Sequence, residues 1–303
     1  MGAKPCITIV GSLNIDHTFR VSNIPRPGES VSSKGSVITF GGKGANQALA
    51  AARAGARVEL IGSVGSDEYG NIYIQKLIQE NIGTSGIAKI RSQPTGSAFI
   101  AVDDAGENTI IVNPAANHKL YKQKILQHCD LIKAADILLM QLECPLRAVL
   151  QAAKIARRAK TRIVINPSPM SKEFLETEVP CDVLVLNENE AAELGNLKVF
   201  FESAFAKKTG IKMLVVTRGA KSTQVLLESK QTLQIFPPKV KPIDTVGAGD
   251  TFVGAFCVAL AESKDIKTAI KFANAAGALA TQKQGAQTAI PKRKEINRIL
   301  EKE

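Results

Sequence analysis

The sequence has no tryptophan, and aromatic residues make up only 5% of its 303 positions. A surface built mainly on aromatic side chains stacked against nucleobases is not expected. Its five cysteines, Cys6, Cys129, Cys144, Cys181 and Cys257, are odd in number, and no two stand in C-x-x-C spacing. That argues against a disulfide framework and a zinc site and fits a reducing, cytoplasmic compartment. Four of the five sit among apolar residues, where a thiol packs as a small hydrophobe. His17, His118 and His128 are dispersed, without metal-ligand spacing or an evident serine or cysteine partner. The longest clean apolar run, around Phe252 to Ala261, is far below the ~20 residues that span a bilayer. The segment MGAKPCITIV has no signal-peptide core, and Cys6 stands where myristoylation needs Ser or Thr. Membrane is not an expected partner.

Acidic residues are the minority charge, 28 against 39 lysines and arginines, for a net +11. Such a balance favours anionic partners: nucleic acid, acidic membrane or phosphorylated substrates. The excess is spread along the chain. Its densest cluster, Lys154, Arg157, Arg158, Lys160 and Arg162, reads as the solvated face and end of a helix. With 45% hydrophobic residues and no linker, repeat or low-complexity stretch, the chain reads as an ordinary globular protein.

Short β-branched runs recur at Cys6–Val10, Val58–Ile61, Ile137–Met140, Arg162–Ile165, Val183–Leu186 and Met213–Thr217. Helix-like stretches lie between them at Lys43–Ala54, Glu68–Glu80, Pro145–Ala159 and Val199–Lys208, and beyond Asp244 at Gly249–Ala261, Ile266–Thr281 and Lys292–Leu300. The alternation predicts an α/β fold: a doubly wound, mostly parallel sheet flanked by helices. Two strand pairs interrupt it, Thr18–Ser22 with Val31–Phe40, and Ser97–Val102 with Asn108–Asn113. Together they predict one small antiparallel sheet, a lid inserted as segments 17–40 and 96–114 of a single α/β domain 1–303, over the crevice where open α/β sheets bind ligands.

Three segments carry candidate chemistry. Phe40-Gly41-Gly42-Lys43-Gly44-Ala45-Asn46 leads a glycine-rich turn into an alanine-rich helix, with Lys43 and Asn46 on one face of its first turn. It fits neither the G-x-G-x-x-G nor the G-x-x-x-x-G-K-[ST] phosphate loop. Asp244-Thr245-Val246-Gly247-Ala248-Gly249-Asp250 opens a second, apolar helix. The N–H groups of Ala248, Gly249 and Asp250 there predict an anion hole. Asp250 itself reads either as a reacting carboxylate or as a helix cap. Asn14 and Asp16, two apart, suit hydrogen bonding to vicinal hydroxyls. Glu143, Asn187 and Glu190 follow other predicted strands.

With these residues in place, the chain resembles the ribokinase family of sugar kinases over essentially its whole length. The carrying segments are FGGKGANQALAAARAG (40–55) and DTVGAGDTFVGAF (244–256), about 200 residues apart and in the family's order. The resemblance implies Mg-ATP-dependent phosphorylation of D-ribose at O5. It implies that Asn14, Asp16, Gly42, Lys43, Asn46 and Glu143 hold the sugar, that Asp250 is the base, that Ala248 and Gly249 form its anion hole, and that Gly247 belongs to the same catalytic turn. It also implies that Asn187 and Glu190 lie near Mg²⁺ and the phosphates, with Glu190 acting through water. The nucleotide loop would be Thr217-Arg218-Gly219-Ala220-Lys221-Ser222, with Ser222 where the family usually has Gly, and Asn274 would flank the adenine. K⁺ is implied beside Asp244, Val246, Ala280, Lys283 and Gly285, with Ala289 where relatives can place a hydroxyl. A homodimer through the lids is implied, with no nucleic-acid partner. Alternatives are a relative acting on fructose, a nucleoside or a sugar phosphate, the last needing cations such as Arg20, Arg26 or Lys34. More distant ones are a nonenzymatic nucleotide sensor or nucleic-acid binder and, with no G-x-G-x-x-G, a dehydrogenase.

Overall fold

A computed structural model of the chain describes residues 4–262 and 264–302; residues 1–3 of the segment read for a leader lie outside them. The main sheet begins with β1 (Cys6–Val10), in which all five residues are buried. The lid strands β2 (Asn14–Arg20) and β3 (Gly35–Gly41) follow, then β4 (Arg57–Gly65), β5 (Ile82–Gly83) and β6 (Ile87–Ile90). The other lid strands are β7 (Gly96–Val102) and β8 (Asn108–Asn113). The chain returns to the main sheet with β9 (Ile137–Met140), β10 (Arg162–Ile165), β11 (Val183–Asn187) and β12 (Met213–Thr217). β13 (Thr223–Leu227) and β14 (Thr232–Ile235) complete it.

The main sheet runs in the order β14-β13-β12-β11-β10-β9-β1-β4-β5, with β6 also on β4. It is parallel except where β13 and β14 add antiparallel pairs at one edge. Its strands are apolar on both faces because helices cover both. Period-two alternation divides their side chains between two cores. Ile7, Ile9, Leu139, Val164, Val185 and Val215 pack with the helices Lys43–Arg53, Ala248–Ala261 and Ile266–Ala280. Val10, Leu138, Met140, Ile163, Leu184 and Leu214 pack on the other face with Leu146–Ala159 and Phe174. From β1 the chain builds toward β4 on one side and resumes at β9 on the other. That makes the β1/β9 crevice the topological switch point, where such sheets bind ligands.

The small sheet has the order β3-β2-β7-β8. It is mixed rather than antiparallel as expected: β2 and β3 pair antiparallel, β7 and β8 likewise, but β2 and β7 run parallel, Asn14 opposite Gly96 through Arg20 opposite Val102. The first hairpin also begins earlier than read, at Asn14, and its second strand starts only at Gly35. Between them, Pro25 and Pro27 lack the N–H a ladder needs, and the connection is mostly exposed. The helix expected at Val199–Lys208 is divided. A 3₁₀ turn, Leu197–Glu202, ends at Ser203, which stays extended and caps the helix Ala204–Thr209 through a bond from Ala206 N at 3.1 Å. A short helix at Ala286–Ala289 was not anticipated. Cys6, Cys144, Cys181 and Cys257 are buried. Among the described residues no helix is long and apolar enough to cross a membrane.

Candidate active site

The segments at the carboxyl ends of β1 and β9, the start of β2, and two helix starts converge under the lid. Gly42 begins the helix Lys43–Arg53, and Ala45 N donates back to Ser12 O at 3.0 Å, which draws that helix start against the end of β1. Glu143 accepts from the Ser12 hydroxyl and from Lys43 N at 3.2 Å. Asn14 is buried; its Oδ1 accepts from Asn117 Nδ2 at 2.7 Å, and its own Nδ2 has no protein partner among the described residues. Asp16, one alternation further along β2, projects beside Gly41, where any Cβ would overlap its carboxylate. Gly41 is therefore a matter of space.

Electrostatics tie these groups into one site. Burial, and then the negative charges of Glu143 and Asp250, push the Asp16 carboxyl up from 3.8 to about 7. Lys43 is opposed by burial, but Asp250, Glu143 and Glu190 outweigh that and hold its pKa above the ordinary lysine value. Three carboxylates and an ammonium thus surround one space able to pair several hydroxyls.

Asp250 is not a helix cap. The helix Ala248–Ala261 has Gly247 as its N-cap, in a left-handed conformation (φ 74°) that makes no side-chain cap. Asp250 instead turns toward the other helix start: its Oδ2 accepts from Asn46 Nδ2 at 3.0 Å and its Oδ1 from Gln47 Nε2 at 2.9 Å. The anion hole is narrower than expected, because Ala248 N donates to Thr245 O at 3.2 Å. Among the described residues the N–H groups of Gly249 and Asp250 have no protein acceptor, leaving two donors at the positive end of the helix.

The remaining residues lie further along the strand ends. Asn187 and Glu190 form a reciprocal capping box, Asn187 Oδ1 accepting from Glu190 N at 2.8 Å and Glu190 Oε2 from Asn187 N at 2.9 Å. Thr217 ends β12, its hydroxyl donating to Leu186 O at 3.2 Å. The turn through Gly219, Ala220 and Lys221 is exposed, and Arg218 closes it by donating to Ser222 O at 2.8 Å and to the Ser222 hydroxyl. Where the family usually has Gly, this serine therefore holds the loop arginine. The buried Asn274 accepts from Thr223 Oγ1 at 2.6 Å and donates to Ile235 O at 3.1 Å, so its amide braces β13 and β14. Asp244 links two segments, accepting from Val246 N at 3.0 Å and Gly285 N at 2.8 Å. Ala280 ends the helix before that turn, Lys283 pairs with Glu295 at 3.1 Å, and Ala289 is buried. The basic cluster lies elsewhere: Arg157, Lys160 and Arg162 rim a cavity of about 700 Å³ at the amino ends of β10 to β12.

A sequence model of the pfkB family carbohydrate kinases matches residues 4–293. The chain belongs to the pfkB family of carbohydrate kinases. It is 40% identical to a ribokinase of Haemophilus influenzae, covering 98% of this chain and 99% of that one. It is 35% identical to a ribokinase of Bacillus subtilis, with 97% and 99% covered. A solved ribokinase of Arabidopsis thaliana in complex with ribose and ATP superposes with a TM-score of 0.87 at 29% identity, covering 98% and 99% of the two chains.

Several amides join these groups, and sequence reasoning assigned none of them a role. Gln47 stands next to Asn46 in the quoted signature, and Gln141 and Asn166 follow β9 and β10. Gln287 lies in the C-terminal turn and Asn117 after the lid. Gln47 and Gln141 had a readable signal, adjacency to quoted motifs and strand ends. Asn117 and Gln287 had none.

Proposed function

We propose that the protein transfers the γ-phosphoryl group of ATP to O5 of D-ribose. The observation that carries this reading is the Asp250 carboxylate, held by two amide donors beside the free N–H groups of Gly249 and Asp250 and facing Asp16, Lys43 and Glu143. The whole-length likeness to ribokinases, one solved with ribose and ATP, supports it. Asn14 through its free Nδ2, with Asp16, Gly42, Lys43, Asn46 and Glu143, binds the sugar hydroxyls. Asp250 retains lone pairs beyond its two amide bonds and takes the O5 proton as O5 attacks phosphorus. The new O5–P bond forms as the bond to the ADP oxygen breaks, and ADP leaves with that electron pair. Gly249 and Asp250 N–H donate to the phosphoryl oxygens as charge develops, so positioning and electrostatics do most of the catalysis. Gly247 shapes that turn.

ATP lies along Asn187, the Thr217–Ser222 loop and Gly249, with Asn274 supporting its base end from behind. Glu190 has one carboxylate oxygen outside its capping box, which fits Mg²⁺ bound mostly by phosphates and water. Mg²⁺ supplies charge neutralisation on the phosphates. A monovalent cation, K⁺, fits beside Asp244 and the carbonyls of Val246, Ala280, Lys283 and Gly285, where Asp244 already braces the turn. A second copy of the chain covers the lid. Its outer strands expose Val37, Ile38, Ile110, Ile111 and Val112, and the inner strand β7 exposes Phe99, an apolar surface on both faces of a small sheet. An unphosphorylated sugar is favoured over a sugar phosphate because Lys34, one candidate cation, pairs with Asp104 across the two hairpins at 2.5 Å. ADP release with ribose, compared between the wild type and Asp250→Asn, tests the reading; equal rates would overturn it.

A further inference from the structure

We propose that Gln287 is a positioning residue for phosphoryl transfer: through Asn46 it fixes which end of an amide faces Asp250, and so couples the C-terminal turn to the base and the sugar. This rests on the reading of Asp250 as base.

An amide side chain offers a carbonyl and an NH₂ of nearly the same shape, so its orientation must be imposed by its partners. At Asp250 the imposition traces to a backbone carbonyl. Gly41 O can only accept, and Tyr73 donates its hydroxyl proton to it at 2.5 Å. Tyr73 is fully buried, and burial pushes its phenol well above the ordinary value, so the proton stays. The Tyr73 oxygen must then accept, and Gln287 Nε2 donates to it at 2.7 Å. The same NH₂ group donates to Asn46 Oδ1 at 3.1 Å, which leaves Asn46 Nδ2 to face Asp250 Oδ2. A second chain does the same for the other oxygen. Asn166 Nδ2 donates to Val185 O at 2.9 Å, so Asn166 Oδ1 accepts from Gln47 Nε2, which also donates to Asp250 Oδ1.

Gln287 is the member of these chains on the C-terminal turn. It is buried, and its backbone oxygen accepts from Arg53 Nη1 at 2.9 Å, on the helix that carries Asn46 and Gln47. The turn is tied by Gly285 N to Asp244, which also holds the segment before the anion hole. Without the Gln287 NH₂ group, Asn46 Oδ1 loses its donor, and only the acceptor-only carboxylate of Asp250 still holds the Asn46 NH₂ toward itself.

The test is Gln287→Met, which keeps the length and removes the amide, with Tyr73→Phe as a second, milder variant. A lost bond to an oriented partner of a charged group predicts a fall in kcat of about ten- to a hundredfold for Gln287→Met. Ribose binding weakens while the KM for ATP stays within about twofold, because no atom of the chain reaches the nucleotide loop. Tyr73→Phe moves the same quantities by about three- to tenfold. If Gln287 acts through Asn46, the double variant with Asn46→Ala is no worse than Asn46→Ala alone. A folded Gln287→Met with wild-type kcat and ribose binding, or losses that multiply independently of Asn46, would overturn the proposal; should Gln287→Met not fold, Tyr73→Phe decides by the same criteria. A wild type inactive on ribose but active on another sugar overturns the substrate assignment alone, and the same ratios are then read with that sugar.

Discussion

Replacing Asp250 by Asn separates two roles that a helix-start carboxylate can play. A cap would tolerate the change, since Asn caps about as well as Asp. Here the cap is Gly247, and both Asp250 oxygens accept from NH₂ groups whose orientation is set by their own partners. Asn must turn its own NH₂ against one of them. A donor facing a donor in a partly buried site costs about 1–3 kcal/mol. With an unfolding entropy of about 2 cal/mol/K per residue, a chain of this length loses roughly 2–5 °C of melting temperature. Turnover falls by about two to four orders of magnitude with the loss of the base. Asp250→Ala loses the same turnover, but water can solvate the two amides, so it melts at or above the Asn variant. Coupled ADP-release rates and scanning calorimetry on the three proteins measure both quantities. An Asn variant with near-normal turnover and an unchanged melting temperature would refute the reasoning.

Three further outcomes follow from the same geometry. The Asp16 carboxyl, raised to about 7, binds its proton more tightly folded than unfolded, so its contribution is fully present below about pH 4 and lost as pH rises through about 7. Asp16→Asn should therefore gain stability relative to the wild type between pH 5 and pH 8, by at most on the order of 4 kcal/mol in denaturant unfolding, and a constant difference would contradict it. At fixed ionic strength, KCl should raise the rate over sodium or Tris salts and Asp244→Ala should abolish the difference; identical kinetics in all buffers would remove the cation from the account. Ile111→Asp should shift a dimer to monomer in light scattering, and a wild type that is already monomeric would remove the lid interface.

The central strands are the most legible part of the chain. Cys6–Val10, Ile137–Met140, Arg162–Ile165 and Met213–Thr217 are short, mostly apolar runs, and the sheet keeps those limits because nearly all of their residues are buried. The weak elements were edges: β5 has two residues, β6 is only partly buried, and β13 and β14 mix polar and apolar positions. The parallel pairing of β2 with β7 joins segments about 80 residues apart, and no local pattern records it. The site divides in the same way. Asn14, Asp16, Lys43, Asn46 and Asp250 stand in short motifs, the last three within two residues of a glycine, whereas Tyr73, Asn166 and Gln287 are single residues on separate elements. Their relation is a hydrogen-bond polarity, which exists only once the fold has brought them together.

The most direct measurement is kcat/KM for ribose against fructose, adenosine and fructose 6-phosphate with Mg-ATP, with the product's phosphorylated carbon identified by ³¹P–¹H NMR. A site that pairs hydroxyls through Asp16, Lys43 and Glu143 discriminates strongly against sugars that leave those groups unpaired. The account predicts a clear preference for ribose and phosphate on O5. A preference for any of the other three, or phosphate on another oxygen of ribose, would contradict it.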